Sequence, residues 1–134
     1  MPRTRPMIIL VIDDELEITS LISEMLRRRG YAVLLPPHGF VAENIARLPF
    51  DLLLTDLVMP VTDGFAVIQA VRAARPDAAI VAFSGFDPRT GLPIKMPSFL
   101  GNEVIGADMF IAKPLRSDRL QEAITSVLAK RAVA

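Results

Sequence analysis

With 134 residues the chain has the length of one domain, enough to bury a core without disulfide or metal staples and too little for two. Its 15 basic and 15 acidic residues cancel, so nothing pulls it as a whole toward nucleic acid or anionic lipid, and the longest basic run is Arg27-Arg28-Arg29. It contains no cysteine, which removes disulfides and thiol chemistry, and no apolar run longer than Met7 to Ile12, too short for a membrane span or a signal peptide. The expectation is a cytoplasmic protein with no direct nucleic-acid partner and no membrane insertion.

Residues 1–6 read as a short basic tail. Met7 to Ile12 is an aliphatic run ending in Asp13-Asp14, a first strand with acids at its exit. The period then changes: Ile18, Leu21, Ile22, Met25 and Leu26 make one apolar helix face, closed by Gly30. Tyr31 to Leu35 reads as a second strand stopped by Pro36-Pro37, and Val41, Ala42, Ile45 and Leu48 as a shorter helix. Leu52 to Thr55 is a third strand, buried on both faces, with Asp56 where it leaves the sheet and Pro60 barring simple continuation.

After Thr62-Asp63-Gly64 the positions Val67, Ile68, Val71 and Ala74 return to helical spacing. Ala79 to Phe83 is a fourth strand with Ser84-Gly85 at its exit, and Met109 to Ala112 a fifth, ending at Lys113-Pro114. Between them Phe86 to Gly106 is irregular, broken by Pro88, Gly91, Pro93, Pro97 and Gly101, with room for at most a short helix. Leu120, Ala123, Ile124, Val127 and Leu128 stripe a last helix, with Ser117 as its cap and Asp118 in its first turn.

Strand and helix thus alternate five times, which argues for an α/β domain with a doubly wound five-stranded parallel sheet covered on both faces. In such a sheet all strand exits share one rim, so Asp13, Asp14, Asp56, Ser84 and Lys113 converge there, and the opposite rim carries nothing comparable. Crowded carboxylates repel unless they share a cation or take up protons, and a hard divalent ion, magnesium above all, suits oxygen ligands completed by water and phosphate. Each residue also has a plainer reading. Asp14 with Glu17 forms a capping box, Asp56 a polar strand end, Ser84-Gly85 a turn, and Lys113 a solvated lysine.

Taken together, Val11-Ile12-Asp13-Asp14, Leu54 through Pro60 with Asp63-Gly64, Phe83-Ser84-Gly85, and Gly106 through Pro114 resemble the response-regulator receiver (CheY-like) family of two-component signalling. The resemblance runs from Met7 to the last helix, residues 7–131, and implies a flavodoxin-like strand order, 2-1-3-4-5. It implies that Asp56 accepts a phosphoryl group from a phosphohistidine on a sensor histidine kinase or a histidine phosphotransfer protein. Mg2+ would be held by Asp13, Asp14, Asp56 and the backbone carbonyl of Val58, and Lys113 would supply further positive charge. The Ser84 hydroxyl would bind the new phosphoryl group, and Phe110 would be the aromatic switch, against a plainer reading as a core residue. Lys113-Pro114 would be a cis peptide, cheap only before proline.

The chain departs from that family in one place: the segment between Ser84 and Lys113 is longer by more than a helical turn. Rich in Met96, Phe99 and Leu100, it reads as a partner surface or as an ornamental loop. His38, after a proline pair, reads as a surface residue rather than a phosphorylation site. Because the sequence stops just after the last helix, the expectation is a stand-alone receiver without an output domain, acting on an unidentified downstream protein. It would be a phosphoacceptor rather than an enzyme. Two alternatives are weighed: a phosphorylation-independent binding module, and a phosphohydrolase with an aspartate nucleophile. The hydrolase would need an acid two residues past Asp56, where Val58 stands.

Overall fold

The computed structural model describes residues 5–37, 39–57, 59, 63–84 and 106–133. Its elements are β1 (Ile8–Ile12), α1 (Leu16–Arg28), β2 (Ala32–Leu34), α2 (Ala42–Ile45), β3 (Leu52–Asp56), α3 (Gly64–Ala74), β4 (Ala79–Ser84), β5 (Met109–Ala112) and a last helix, here α4 (Ser117–Val133). The five strands form one sheet in the order β2-β1-β3-β4-β5, with every neighbouring pair parallel. This is the doubly wound α/β architecture that the alternation predicts. The expectations for Val58, His38 and the segment from Phe86 to Ile105 lie outside the described residues.

The near-continuous aliphatic composition of β1, β3 and β4 follows from burial on both faces. Successive residues point to opposite sides, so Leu10, Ile12, Leu53, Ile80 and Ala82 meet Ile45, Val67, Ile68 and Val71 of α2 and α3. Ile9, Val11, Leu52, Leu54, Val81 and Phe83 meet Ile22 and Leu26 of α1 and Leu120, Ile124 and Val127 of α4. Two apolar layers therefore clamp the sheet. Full burial of an aliphatic side chain contributes about 1.5–3 kcal/mol, so the central strands are far more firmly held than the half-buried edges.

Several local expectations need correction. Leu21 is half exposed and lies off the buried face of α1, whose inward positions are Thr19, Ile22, Ser23 and Leu26 with Ile18 and Met25 at the margin. The second helix is a single turn, and Val41 stays outside it and exposed, because only Ile45 reaches the core fully. Asp14 does not cap α1. The chain enters that helix at Glu15 without a side-chain cap, and the Glu15 amide instead closes a local turn by donating to Asp13 Oδ1 at 2.9 Å. Ser117 does not cap α4 either; it lies inside the first turn, and its hydroxyl accepts from Arg29 Nε at 3.0 Å.

The opposite rim is not featureless. Just before β5, the buried Asp108 carboxylate gathers Arg131 of α4 and Arg72 of α3, and Asp51 accepts from the Ile8 amide at 2.7 Å.

One glycine decides how closely α3 approaches the rim where β3 ends. A Cβ on Gly64 would overlap the Asp56 carbonyl oxygen and lie 2.7 Å from Leu57 Cα, and both are backbone that cannot step aside. Asp63 opens the same turn, its Oδ1 accepting from the Phe65 amide at 2.8 Å. Gly64→Ala is therefore expected to lower unfolding free energy by about 2–3 kcal/mol, measured by urea denaturation.

Candidate functional site

Sheet register assembles the site. Ile12 sits opposite Thr55, which places Asp13 beside Asp56 where β1 and β3 leave the sheet. Asp56 pairs with Phe83, and the ladder continues as Leu57 N–H donates to the Phe83 carbonyl at 3.0 Å. Ser84 pairs with Ala112, which brings the end of β4 level with the residue before Lys113. Residues far apart in sequence thus share one rim, the carboxyl end of a parallel sheet.

At that rim Asp13, Asp14 and Asp56 can each turn a carboxylate oxygen so that the three lie within 4.8 Å of one another. Asp56 is 3% exposed and the Asp13 side chain is wholly buried, whereas Asp14 faces solvent. Lys113 Nζ donates to Asp56 Oδ2 at 3.0 Å and lies 3.2 Å from Asp13 Oδ2, so one ammonium bridges two buried acids. It also lies 5.3 Å from the centroid of the Phe83 ring, whose face attracts a cation. The Lys113–Pro114 peptide bond is cis.

The charges show in the proton affinities. Partial desolvation, then the hydrogen bond and charge of Asp13, raise the Asp14 carboxyl above its ordinary value. Desolvation alone would lower the Lys113 ammonium, but its hydrogen bond to Asp56 and the charges of Asp56 and Asp13 outweigh this and raise it. Asp13 Oδ2, although near the ammonium, is buried without a hydrogen bond. A single lysine does not satisfy this cluster. A buried carboxylate oxygen lacking a donor, beside two more acids, fits a hard divalent cation.

Of the residues singled out in the sequence, Asp13, Asp14, Asp56 and Lys113 meet at this site. Phe110 lies on β5, half-buried against the layer of α2 and α3, and Ser84 ends β4. The Phe83 ring under the lysine was not legible as a site feature. Alternation within β4 could have found it, since Phe83 shares a face with Val81 rather than with Ala82.

A family model, the response regulator receiver domain, matches residues 9–125. The chain belongs to the receiver family. Its members act as phosphoacceptor signalling modules, and the acidic cluster with its bridging lysine stands where that chemistry requires it. The chain is 31% identical over 120 residues to the transcriptional regulatory protein CpxR of Escherichia coli (strain K12), covering 90% of this chain and 48% of CpxR. It therefore spans about half the length of that relative. It resembles the receiver domain of the sensor histidine kinase PA1611 from Pseudomonas aeruginosa PAO1, whose structure holds a magnesium ion in the active-site cleft (25% identity, TM-score 0.71, 92% of this chain and 98% of that one). A CheY-like receiver from Methanospirillum hungatei JF-1 shares the fold, with TM-score 0.77 at 23% identity, covering 95% of this chain and 97% of that one. None of the described helices is long and apolar enough to cross a membrane.

Lys113→Met removes the ammonium from between two buried acids and is expected to lower stability by about 1–2 kcal/mol, after allowance for solvent screening. Because the folded-state lysine value is raised, its contribution is complete at neutral pH and is lost as pH rises through that raised value. Denaturant unfolding of both proteins across the alkaline range should show a gap that holds at neutral pH and closes only once Lys113 deprotonates.

Proposed function

We propose that Asp56 is the phosphoacceptor, taking a phosphoryl group from a phosphohistidine of a sensor histidine kinase or a histidine phosphotransfer protein. The observation that carries this reading is the buried Asp56 carboxylate, bonded to Lys113 and within reach of two further acids. An Asp56 carboxylate oxygen attacks phosphorus in line, the P–N bond breaks with its electron pair returning to the imidazole, and an acyl phosphate remains. Such a transfer needs positioning and charge neutralisation more than covalent help.

Asp13, Asp14 and Asp56, with the Val58 backbone carbonyl, would hold Mg2+, which when bound neutralises phosphoryl oxygens. Asp13 is oriented for this by the Glu15 amide on its other oxygen. Lys113 is poised to follow the charge, since its hydrogen bond to Asp56 can pass to a phosphoryl oxygen without the ammonium leaving the cleft. Ser84, at the end of β4, would donate its hydroxyl to the same group. Phe110, half-buried on the neighbouring strand, would turn inward as that loop closes and alter the surface offered to a downstream protein.

Intact mass after incubation with acetyl phosphate tests this reading. Wild type with Mg2+ should gain a single phosphoryl adduct, while chelated wild type and Asp56→Asn should gain none. A Mg2+-independent adduct, or one that persists in Asp56→Asn, would remove Asp56 from the role, and no adduct at all would favour a phosphorylation-independent module.

A further inference from the structure

The strand that delivers Lys113 is weakly specified by its own side chains. β5 is a four-residue edge strand paired only with β4, and Met109, Phe110 and Ile111 are all half-buried while Ala112 is exposed. Where neither face is fully buried, hydrophobic pattern alone fixes register poorly, and a one-residue slip would turn every side chain to the other face. Something else must hold β5 in place.

Asp108, immediately before it, supplies that constraint. Its amide donates to the Ile80 carbonyl at 2.8 Å, and the Ile80 amide donates back to Asp108 Oδ2 at 2.9 Å. The carboxylate therefore takes the place of a backbone carbonyl and adds one rung to the β4–β5 ladder. Its other oxygen accepts from Arg131 of α4 at 2.5 Å, and Arg72 of α3 lies 3.6 Å from Oδ2. Arg72 also donates twice to the Gly106 carbonyl, at 3.1 and 2.6 Å, which fixes the chain just upstream. Its side chain is only 3% exposed, and two guanidiniums and an amide surround it in place of water.

We infer that Asp108 is a positioning residue for Lys113: its bond to the Ile80 amide sets the register of β5, and so sets where the ammonium at the far end of that strand stands. The importance of this for phosphorylation rests on the reading of Asp56 above, but the geometric claim does not. A displacement of about 1 Å at a reacting group costs on the order of a hundredfold in rate, so an anchor at the opposite rim can govern the site without touching it.

The test reads the position of the lysine directly. Lys113 lies over the Phe83 ring, so its ε-methylene protons carry a ring-current shift in the NMR spectrum of the full chain. Asp108→Ala should lose that shift. Asp108→Asn, which keeps an oxygen for the Ile80 amide, should retain it while melting lower for want of the charge pairs. Asp108→Glu keeps the charge but lengthens the rung, so it should move the shift even if Asp108→Ala does not fold. Arg75→Ala, which removes an unrelated bond to the Phe50 carbonyl near the same rim, should leave the shift alone.

An unchanged shift in Asp108→Ala or Asp108→Glu, or an equal loss in Arg75→Ala, would overturn the inference. In the same proteins, the maximal rate of labelling by acetyl phosphate should fall on the order of tenfold or more in Asp108→Ala, with half-saturation unchanged. Loss of the shift in a series whose wild type takes no label would sink the phosphoacceptor reading and leave the positioning role standing. A labelled wild type with shift and rate preserved in Asp108→Ala would do the reverse.

Discussion

Everything at the carboxyl rim depends on one electrostatic constraint: two buried carboxylates and a third close by must coexist with a single ammonium among the described residues around them. Removing two acids from water costs several kcal/mol each unless countercharge replaces the lost hydration. Lys113 repays part of that cost by bridging Asp13 and Asp56. The raised proton affinity of Asp14 and the donor-less oxygen of Asp13 show how much remains unpaid. These carboxylates repel one another unless a cation is shared, and a phosphoryl group would alter that balance again.

The fold makes such a site tolerable. Central strands wholly buried on both faces provide a rigid floor, and parallel register alone brings Asp13 to Asp56. Gly64 lets α3 start against the Asp56 carbonyl. At the other rim the charges are balanced: Asp108 has Arg131, Arg72 and an amide. One end of the sheet is locked and the other is left electrostatically unfinished, which is the asymmetry expected where binding events must produce change.

Much of this could be read in the sequence because it rests on short-range signals. Change of hydrophobic period gave strands and helices in the right order, and aliphatic runs ending in Asp13, Asp56 and Lys113 placed all three on one rim. The reading failed where tertiary packing decides between equal local choices. Leu21 fits a helical stripe as well as Thr19 does, yet the angle at which α1 meets the sheet buries Thr19. Asp14 with Glu17 fits a capping box, yet the backbone enters α1 at Glu15 without a side-chain cap, and it is Asp13 that takes the Glu15 amide. Asp108 enters the sequence reading only as part of the stretch from Gly106 to Pro114, because its partners, Arg72 and Arg131, come from two helices that sequence spacing does not connect.

The most direct test of the electrostatic account is the melting temperature of the full chain against Mg2+ concentration, for wild type and Asp14→Asn. If the carboxylates repel, the variant melts above wild type in chelator, and it gains less as Mg2+ is added, since only wild type offers the full donor set. The raised Asp14 value means that repulsion grows as pH rises through it, so the chelator difference should widen from acid toward neutral pH. A wild type that melts at the same temperature with and without Mg2+, or an Asp14→Asn that melts below it in chelator, would contradict the account.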